Sequence, residues 1–107
     1  MELKQYAIIL ANLDPTLGSE IRKTRPCVII SPDEMNRHLH TIVIAPMTSN
    51  LKEYPTRVPA RHHDQSGMIA LDQIRTIDKK RIIRILGRLN DTEIQSCKGV
   101  LKETYVD

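Results

Sequence analysis

Lys23-Thr24-Arg25-Pro26-Cys27-Val28-Ile29-Ile30-Ser31 passes without a break from cations into an apolar run. The run Pro26–Ile30 is short and continuous, and it reads as a buried strand. Before it, a loop from Asp14-Pro15 to Arg25 carries Gly18, Ser19, Glu20, Arg22 and Lys23. Further back, Tyr6–Leu13 is mostly apolar with no turn signal, which predicts a first strand. After the run, Ser31-Pro32-Asp33-Glu34 predicts a helix start: a capping side chain, proline at the first position and acids in the first turn. That helix has room for only two turns before His38.

Thr41–Met47 predicts a third strand, with Pro46 near its end and Thr48-Ser49-Asn50 as a polar exit. Pro55 and Pro59 bracket a short strand suited to a sheet edge. Gly67–Ile77 predicts one longer strand in which Asp72, Gln73 and Arg75 interrupt apolar residues. Asp78–Arg81 reads as a charged turn and Ile82–Leu89 as a last strand. Asn90 and Glu93 make a capping-box pair at the head of a terminal helix, where Ile94, Cys97, Leu101 and Tyr105 recur on one face. Strands come in runs rather than alternating with helices. The expected fold is therefore mainly β with α (α+β), a small β-barrel with a C-terminal helix, in a single domain spanning 1–107.

The 107 residues include no Phe, no Trp and three Tyr, so the core is aliphatic and β-branched. A net charge of +3, from 16 basic and 13 acidic residues, is compatible with nucleic acid but does not select it. No secretory signal pattern opens the sequence. No apolar stretch approaches the roughly 20 residues of a membrane span. Cys27 and Cys97 stand in apolar contexts and are expected as buried free thiols, which suits a reducing cytoplasm. His38 and His40 are two apart, and His62 and His63 are adjacent and followed by Asp64. Adjacent histidines on a strand point to opposite faces, so all four read as polar loop residues. No metal or other cofactor is expected.

Arg25 directly precedes a rigid strand. A guanidinium at that mouth is placed to grip a phosphate with its planar fork of donors. Thr48 and Ser49 leave a strand end, and Asp72, Gln73 and Arg75 either satisfy one another or line a groove.

Four segments in order and spacing resemble the MazF/PemK toxins, the RNA-cutting halves of bacterial toxin–antitoxin pairs. They are Asn12-Leu13-Asp14-Pro15-Thr16-Leu17-Gly18-Ser19-Glu20, Lys23 to Ser31, Ile44-Ala45-Pro46-Met47-Thr48-Ser49, and Leu71-Asp72-Gln73-Ile74-Arg75-Thr76-Ile77-Asp78. The resemblance covers nearly the whole chain. It implies an SH3-like barrel of the CcdB/Kid/MazF kind, a homodimer, and metal-independent cutting of single-stranded RNA. The neighbouring 2′-hydroxyl attacks, leaving a 2′,3′-cyclic phosphate and a 5′-hydroxyl. In one branch of the family the essential pair is the Arg of an Arg-Pro motif and the Thr of a Pro-x-Thr-Ser motif, which fall on Arg25 and Thr48. In another branch a loop His works with an Arg and an Asp. The matching positions are Ser19, Ala70 and Asp72, and only the Asp is present, so the Arg/Thr branch is expected.

On that footing Ser19, Glu20 and Asp72 are candidate proton carriers. Gly18, Arg22, Lys23, Ser49, Gln73 and Arg75 are candidate RNA contacts. The implied partner is a cognate antitoxin whose acidic disordered tail covers Arg22, Lys23 and Arg25. Where the family usually opens its first strand with Gly and an acid, this chain has Tyr6-Ala7. With no Trp or Phe, base selection is expected to rest on hydrogen bonds and loop shape. Two other readings are a CcdB-like gyrase poison and a catalytically inactive RNA-binding barrel. The gyrase poisons rely on a Trp-Gly-Ile C-terminus, whereas this chain ends Thr104-Tyr105-Val106-Asp107.

Overall fold

The computed structural model describes residues 2–62 and 65–106. Its strands are β1 (Ala7–Asn12), β2 (Thr24–Ile29), β3 (Thr41–Thr48), β4 (Arg57–His62), β5 (Gln65–Ala70), β6 (Arg75–Asp78) and β7 (Ile82–Arg88). Two α-helices accompany them, α1 (Asp33–His38) and α2 (Asp91–Tyr105). The strands form one seven-stranded antiparallel sheet in the order β4-β5-β3-β2-β1-β7, with β6 against β3 off that path. The sheet curls into a half-barrel, and α2 packs on one of its faces. The expected class, mainly β with a C-terminal helix, is the one that forms.

Side chains along a strand alternate between faces, and the apolar residues here use both. Ile8, Val28, Ala45, Met47, Val58, Ala60 and Ile69 pack toward α2, where they meet Ile94 and Cys97. Ala7, Ile9, Ala11, Cys27, Ile29, Ile42, Ile44 and Ile77 form a second layer on the opposite side, hereafter the far face. Burying one such isoleucine contributes about 1.5–3 kcal/mol. A surface ion pair contributes about 0–1 kcal/mol. Burial of apolar side chains on both faces therefore outweighs surface ion pairs in holding the sheet together.

One expected element is different. Gly67–Ile77 is two strands, because β5 and β6 occupy the same edge of β3 in succession. Met47 and Thr48 pair with Ile69 and Met68, while Thr41 to Ile44 pair with Asp78 to Arg75. Between the two ladders Leu71–Gln73 is extruded as a 3₁₀ turn, with Leu71 buried as its anchor. The break falls opposite Ala45-Pro46, where proline has no N–H to offer a continuing ladder. Asp72 and Gln73 thus sit on a turn rather than on a strand, and six expected strands become seven.

Smaller corrections follow the same logic of buried polar groups. Ser31 does not cap α1; Pro32 holds that position without a side-chain cap bond. Instead Ser31 Oγ donates to Asn36 Oδ1 at 2.5 Å and accepts from the Val43 N–H at 3.1 Å. Asn36 Nδ2 donates to the carbonyls of Leu3 and Ser31, both at 3.0 Å. On α2 the capping box forms as expected, at 2.8 and 2.9 Å. Tyr105, however, is exposed and donates its hydroxyl to the Leu71 carbonyl at 2.5 Å. Tyr6, standing where a glycine is usual, takes the left-handed φ of 66°. Its N–H donates to the Ile29 carbonyl at 2.7 Å and its carbonyl accepts from Leu89 N–H at 3.1 Å.

Candidate active site

Residues 13–23 link β1 to β2. Asp14 organises the base of this loop: its N–H donates to Asn12 Oδ1 and its Oδ1 accepts from Lys23 N–H, both at 3.0 Å. The Leu13 N–H donates to the Lys23 carbonyl at 3.0 Å, and Lys23 takes a φ of 71° to permit it. Nearer the tip the Leu17 N–H donates to Glu20 Oε1 at 2.6 Å, with Gly18 at φ 55° between them. The later strands hold the loop down. Gln73 Oε1 accepts from Ile21 N–H at 2.7 Å. Arg75 Nη1 donates to the Leu13 carbonyl at 3.2 Å. Arg81, in a 3₁₀ turn at Lys79–Arg81, donates to the Asn12 and Asp14 carbonyls.

The period of two places Pro46 and Thr48 on the same side of β3 as Ile42 and Ile44. On that far face Ile44 stands opposite Arg75 and Pro46 opposite Cys27. Ala70 stands opposite Arg57, Thr48 opposite Met68, and Met68 opposite Pro59. Arg25 and Thr48 lie two residues beyond the last β2–β3 pair, Cys27 and Pro46, so they stand at the same end of two antiparallel neighbours. A row therefore crosses the sheet from Thr48 through Met68 to Pro59. The apolar cluster of the far face reaches Ile44 in β3, and Pro46 beyond it meets polar groups of the β1–β2 loop and the Leu71–Gln73 turn. A concavity of about 400 Å³ opens there, lined by Ser19 and Glu20 from the loop, Pro46, and Asp72, Gln73 and Arg75 from the turn and β6.

Half-buried Arg25 donates Nε to the Arg22 carbonyl at 2.6 Å. Cys27 lies within electrostatic reach of both Arg25 and Arg75. Burial pushes its thiol up to about 12, and the two guanidiniums only partly oppose that shift. The thiol is therefore protonated at neutral pH and is no nucleophile.

Asp72 is committed. Arg57 grips it with a fork, Nε to Oδ1 at 2.7 Å and Nη2 to Oδ2 at 3.1 Å. Thr56 Oγ1 donates to Oδ1 at 3.1 Å. The hydrogen bonds from Arg57 above all hold the Asp72 carboxyl below its ordinary range, against a smaller opposing effect of burial. The same pairing raises Arg57.

The structure thus gathers Ser19, Glu20, Asp72, Gln73 and Arg75 around one concavity, with Arg25 near the start of β2 and Thr48 at the end of β3. Thr48 Oγ1 accepts from Asn50 N–H at 3.2 Å, and Ser49 follows it, exposed. Gly18, Arg22 and Lys23 are exposed on the loop. Asp14, Thr56, Arg57 and Arg81 were missed from the sequence. Each acts on a residue at least nine positions away, so no local pattern marks them. His38 Nε2 lies 3.1 Å from Glu34 Oε1, and His63 and Asp64 lie outside the described residues. Among the described residues no three His, Cys, Asp or Glu gather to hold a metal, and no helix is long and apolar enough to cross a membrane.

Residues 4–105 match the family described as the PemK-like, MazF-like toxin of type II toxin–antitoxin systems. An endoribonuclease MazF of Staphylococcus saprophyticus is 34% identical over 105 residues, covering 92% of this chain and 88% of that protein. Among solved structures, MazF from Deinococcus radiodurans superposes with a TM-score of 0.89 at 24% identity, covering 100% of this chain and 99% of that one. An endoribonuclease in complex with its cognate antitoxin from mycobacterial species gives 0.80 at 20% identity, covering 94% and 92%.

Proposed function

The chain belongs to the PemK-like, MazF-like toxin family of type II toxin–antitoxin systems, and from that premise we propose an endoribonuclease that cuts single-stranded RNA through the 2′-hydroxyl next to the broken bond. What supports this reading is the concavity lined by Ser19, Glu20, Gln73 and Arg75, with Arg25 of β2 and Thr48 of β3 at the same end of the sheet. Attack by the 2′-oxygen makes a five-coordinate phosphorus with extra negative charge, and the 5′-oxygen then leaves with a proton. Arg25 stabilises that charge with a planar fork, and Thr48 donates a further hydrogen bond. The products are a 2′,3′-cyclic phosphate and a 5′-hydroxyl.

A proton must leave the 2′-hydroxyl and another must reach the 5′-oxygen. Asp72 is bound by Arg57 and held ionised, so it suits neither task. Glu20 and Ser19, on the loop that lines the same concavity, are the groups assigned to them. Gly18, Arg22, Lys23 and Ser49 hold the flanking phosphates, while Gln73 and Arg75 also fix the loop that carries Glu20. The working unit is a homodimer in the cytoplasm. Its antitoxin lays an acidic disordered tail over Arg22, Lys23 and Arg25, competing with RNA for the same charges.

The test is incubation of the purified protein with a long RNA in the presence of chelator, with mapping of the ends. Discrete sites bearing cyclic phosphate and 5′-hydroxyl ends are expected. A 2′-deoxy substitution at a mapped site should abolish cutting there and preserve binding, because the nucleophile belongs to the substrate. Cutting at the deoxy site would overturn the mechanism.

A further inference from the structure

We propose that Tyr54 is a stacking platform for the base of a nucleotide that flanks the cut; this inference rests on the RNA-cutting reading above. Of the three tyrosines, Tyr6 is buried and Tyr105 spends its hydroxyl on the Leu71 carbonyl. Tyr54 is 43% exposed, on the segment between β3 and β4. Two cations stand at its ring, Lys52 Nζ and Arg57 Cζ, each 5.3 Å from the centroid. They differ in freedom. Arg57 is fixed by its fork on Asp72. Lys52 is exposed on a flexible stem, so a base can displace it from the ring and leave its ammonium for a phosphate.

The ring overlooks a second cavity of about 710 Å³, lined among others by Leu51, Pro59, Met68, Arg57 and Arg61. Pro59 and Met68 continue the row that begins at Thr48. Neighbouring strands are about 4.8 Å apart, so the row runs about 10 Å from Thr48 to Pro59. That is within reach of a nucleotide next to the one being cut. Glu53 and Glu93 also line the cavity, but Glu93 is occupied by the Arg61 and Asn90 N–H groups. An apolar floor, an exposed ring and Lys52, Arg57 and Arg61 together suit a base and its phosphates. Arg57 serves both ends, since the Asp72 it grips lines the catalytic concavity. Its part is to position.

The probe is a fluorescein-labelled single-stranded RNA decamer, all-adenosine in one arm and abasic at each position in turn in the others. Binding is read by anisotropy, with oligomeric state and melting temperature checked for each variant. Tyr54→Phe should bind within about 2-fold of wild type. Tyr54→Ala should lose about 5- to 150-fold, the range of one base–aromatic stack. One abasic position should cost wild type that same factor and cost Tyr54→Ala little. Cleavage of a long transcript at sub-saturating protein should fall by the same factor as the affinity. Equal affinity of Tyr54→Ala and wild type, or a loss unaffected by abasic substitution, overturns the inference. So does a loss explained by dissociation of the dimer. If wild type binds the decamer but cuts no RNA, the endoribonuclease reading fails while the stacking result still stands or falls on its own.

Discussion

Arg25 gives its Nε to the Arg22 carbonyl, so a phosphate meets its Nη groups. A fork anchored at one nitrogen is preorganised, and preorganised donors of this kind account for roughly 100- to 1,000-fold in rate. Arg25→Ala should lower single-turnover cleavage by about that factor with a smaller loss of affinity. Arg25→Lys should recover it only in part, because an ammonium keeps the charge and loses the fork. Thr48→Val should cost less than Arg25→Ala, since it removes one donor and keeps the shape. Full cleavage by Arg25→Ala would refute the assignment. Asp72 gives a second test, in stability. Its carboxyl is held below its unfolded value, so the folded state binds the proton less readily. The contribution is complete above the unfolded carboxylate value of about 4 and is lost as pH falls through the lower folded-state value. Asp72→Asn should therefore be less stable than wild type by about 1 kcal/mol at pH 7. The gap in melting temperature should shrink on acidification into that range. A gap independent of pH would show that the charge is not the cause.

Between strands, Gly67 decides how closely β5 approaches β3. A Cβ there would lie 3.1 Å from the Thr48 carbonyl oxygen, a backbone atom that cannot swing away. Gly67→Ala should push β3 and β5 apart, at a cost of about 1–3 kcal/mol, and carry Thr48 with them. Loss of thermal stability and of cleavage rate together is the expected result. Unchanged values of both, in a melt and a single-turnover assay, would mean that the ladder absorbs the methyl elsewhere. The same ladder explains why Asp72 and Gln73 reach the concavity. They are raised on a turn where the strand facing β3 breaks opposite Pro46, and from there Gln73 reaches Ile21 and Asp72 reaches Arg57.

For a chain of 107 residues the buried fraction is modest, and aliphatic side chains stay in solvent. Ile83 is 54% and Ile85 42% exposed on β7, a strand at the end of the sheet. A second copy packed along that strand would cover them, as the proposed homodimer requires. Light scattering at micromolar concentration should give twice 12.3 kDa. A single species at 12.3 kDa would contradict the dimer.

The amino-acid order by itself determined the strands of the two apolar layers, because Ala7–Ala11, Cys27–Ile29 and Ile42–Met47 are continuous apolar runs that can bury both faces. It also determined the capping of α2, since Asn90 and Glu93 need only each other, and it placed Arg25 and Thr48 at strand ends. Only the tertiary structure decided the rest. The break of Gly67–Ile77 depends on what stands opposite it in β3, and Ser31 leaves α1 for Asn36 because that amide is buried beside it. Asp72 is claimed by Arg57, fifteen residues away in the chain, and Tyr54 becomes a ring between cations only when Arg57 is fixed by that bond. Local pattern records what a residue needs within a turn or a strand. Long-range pairing settles which of its possible partners it meets.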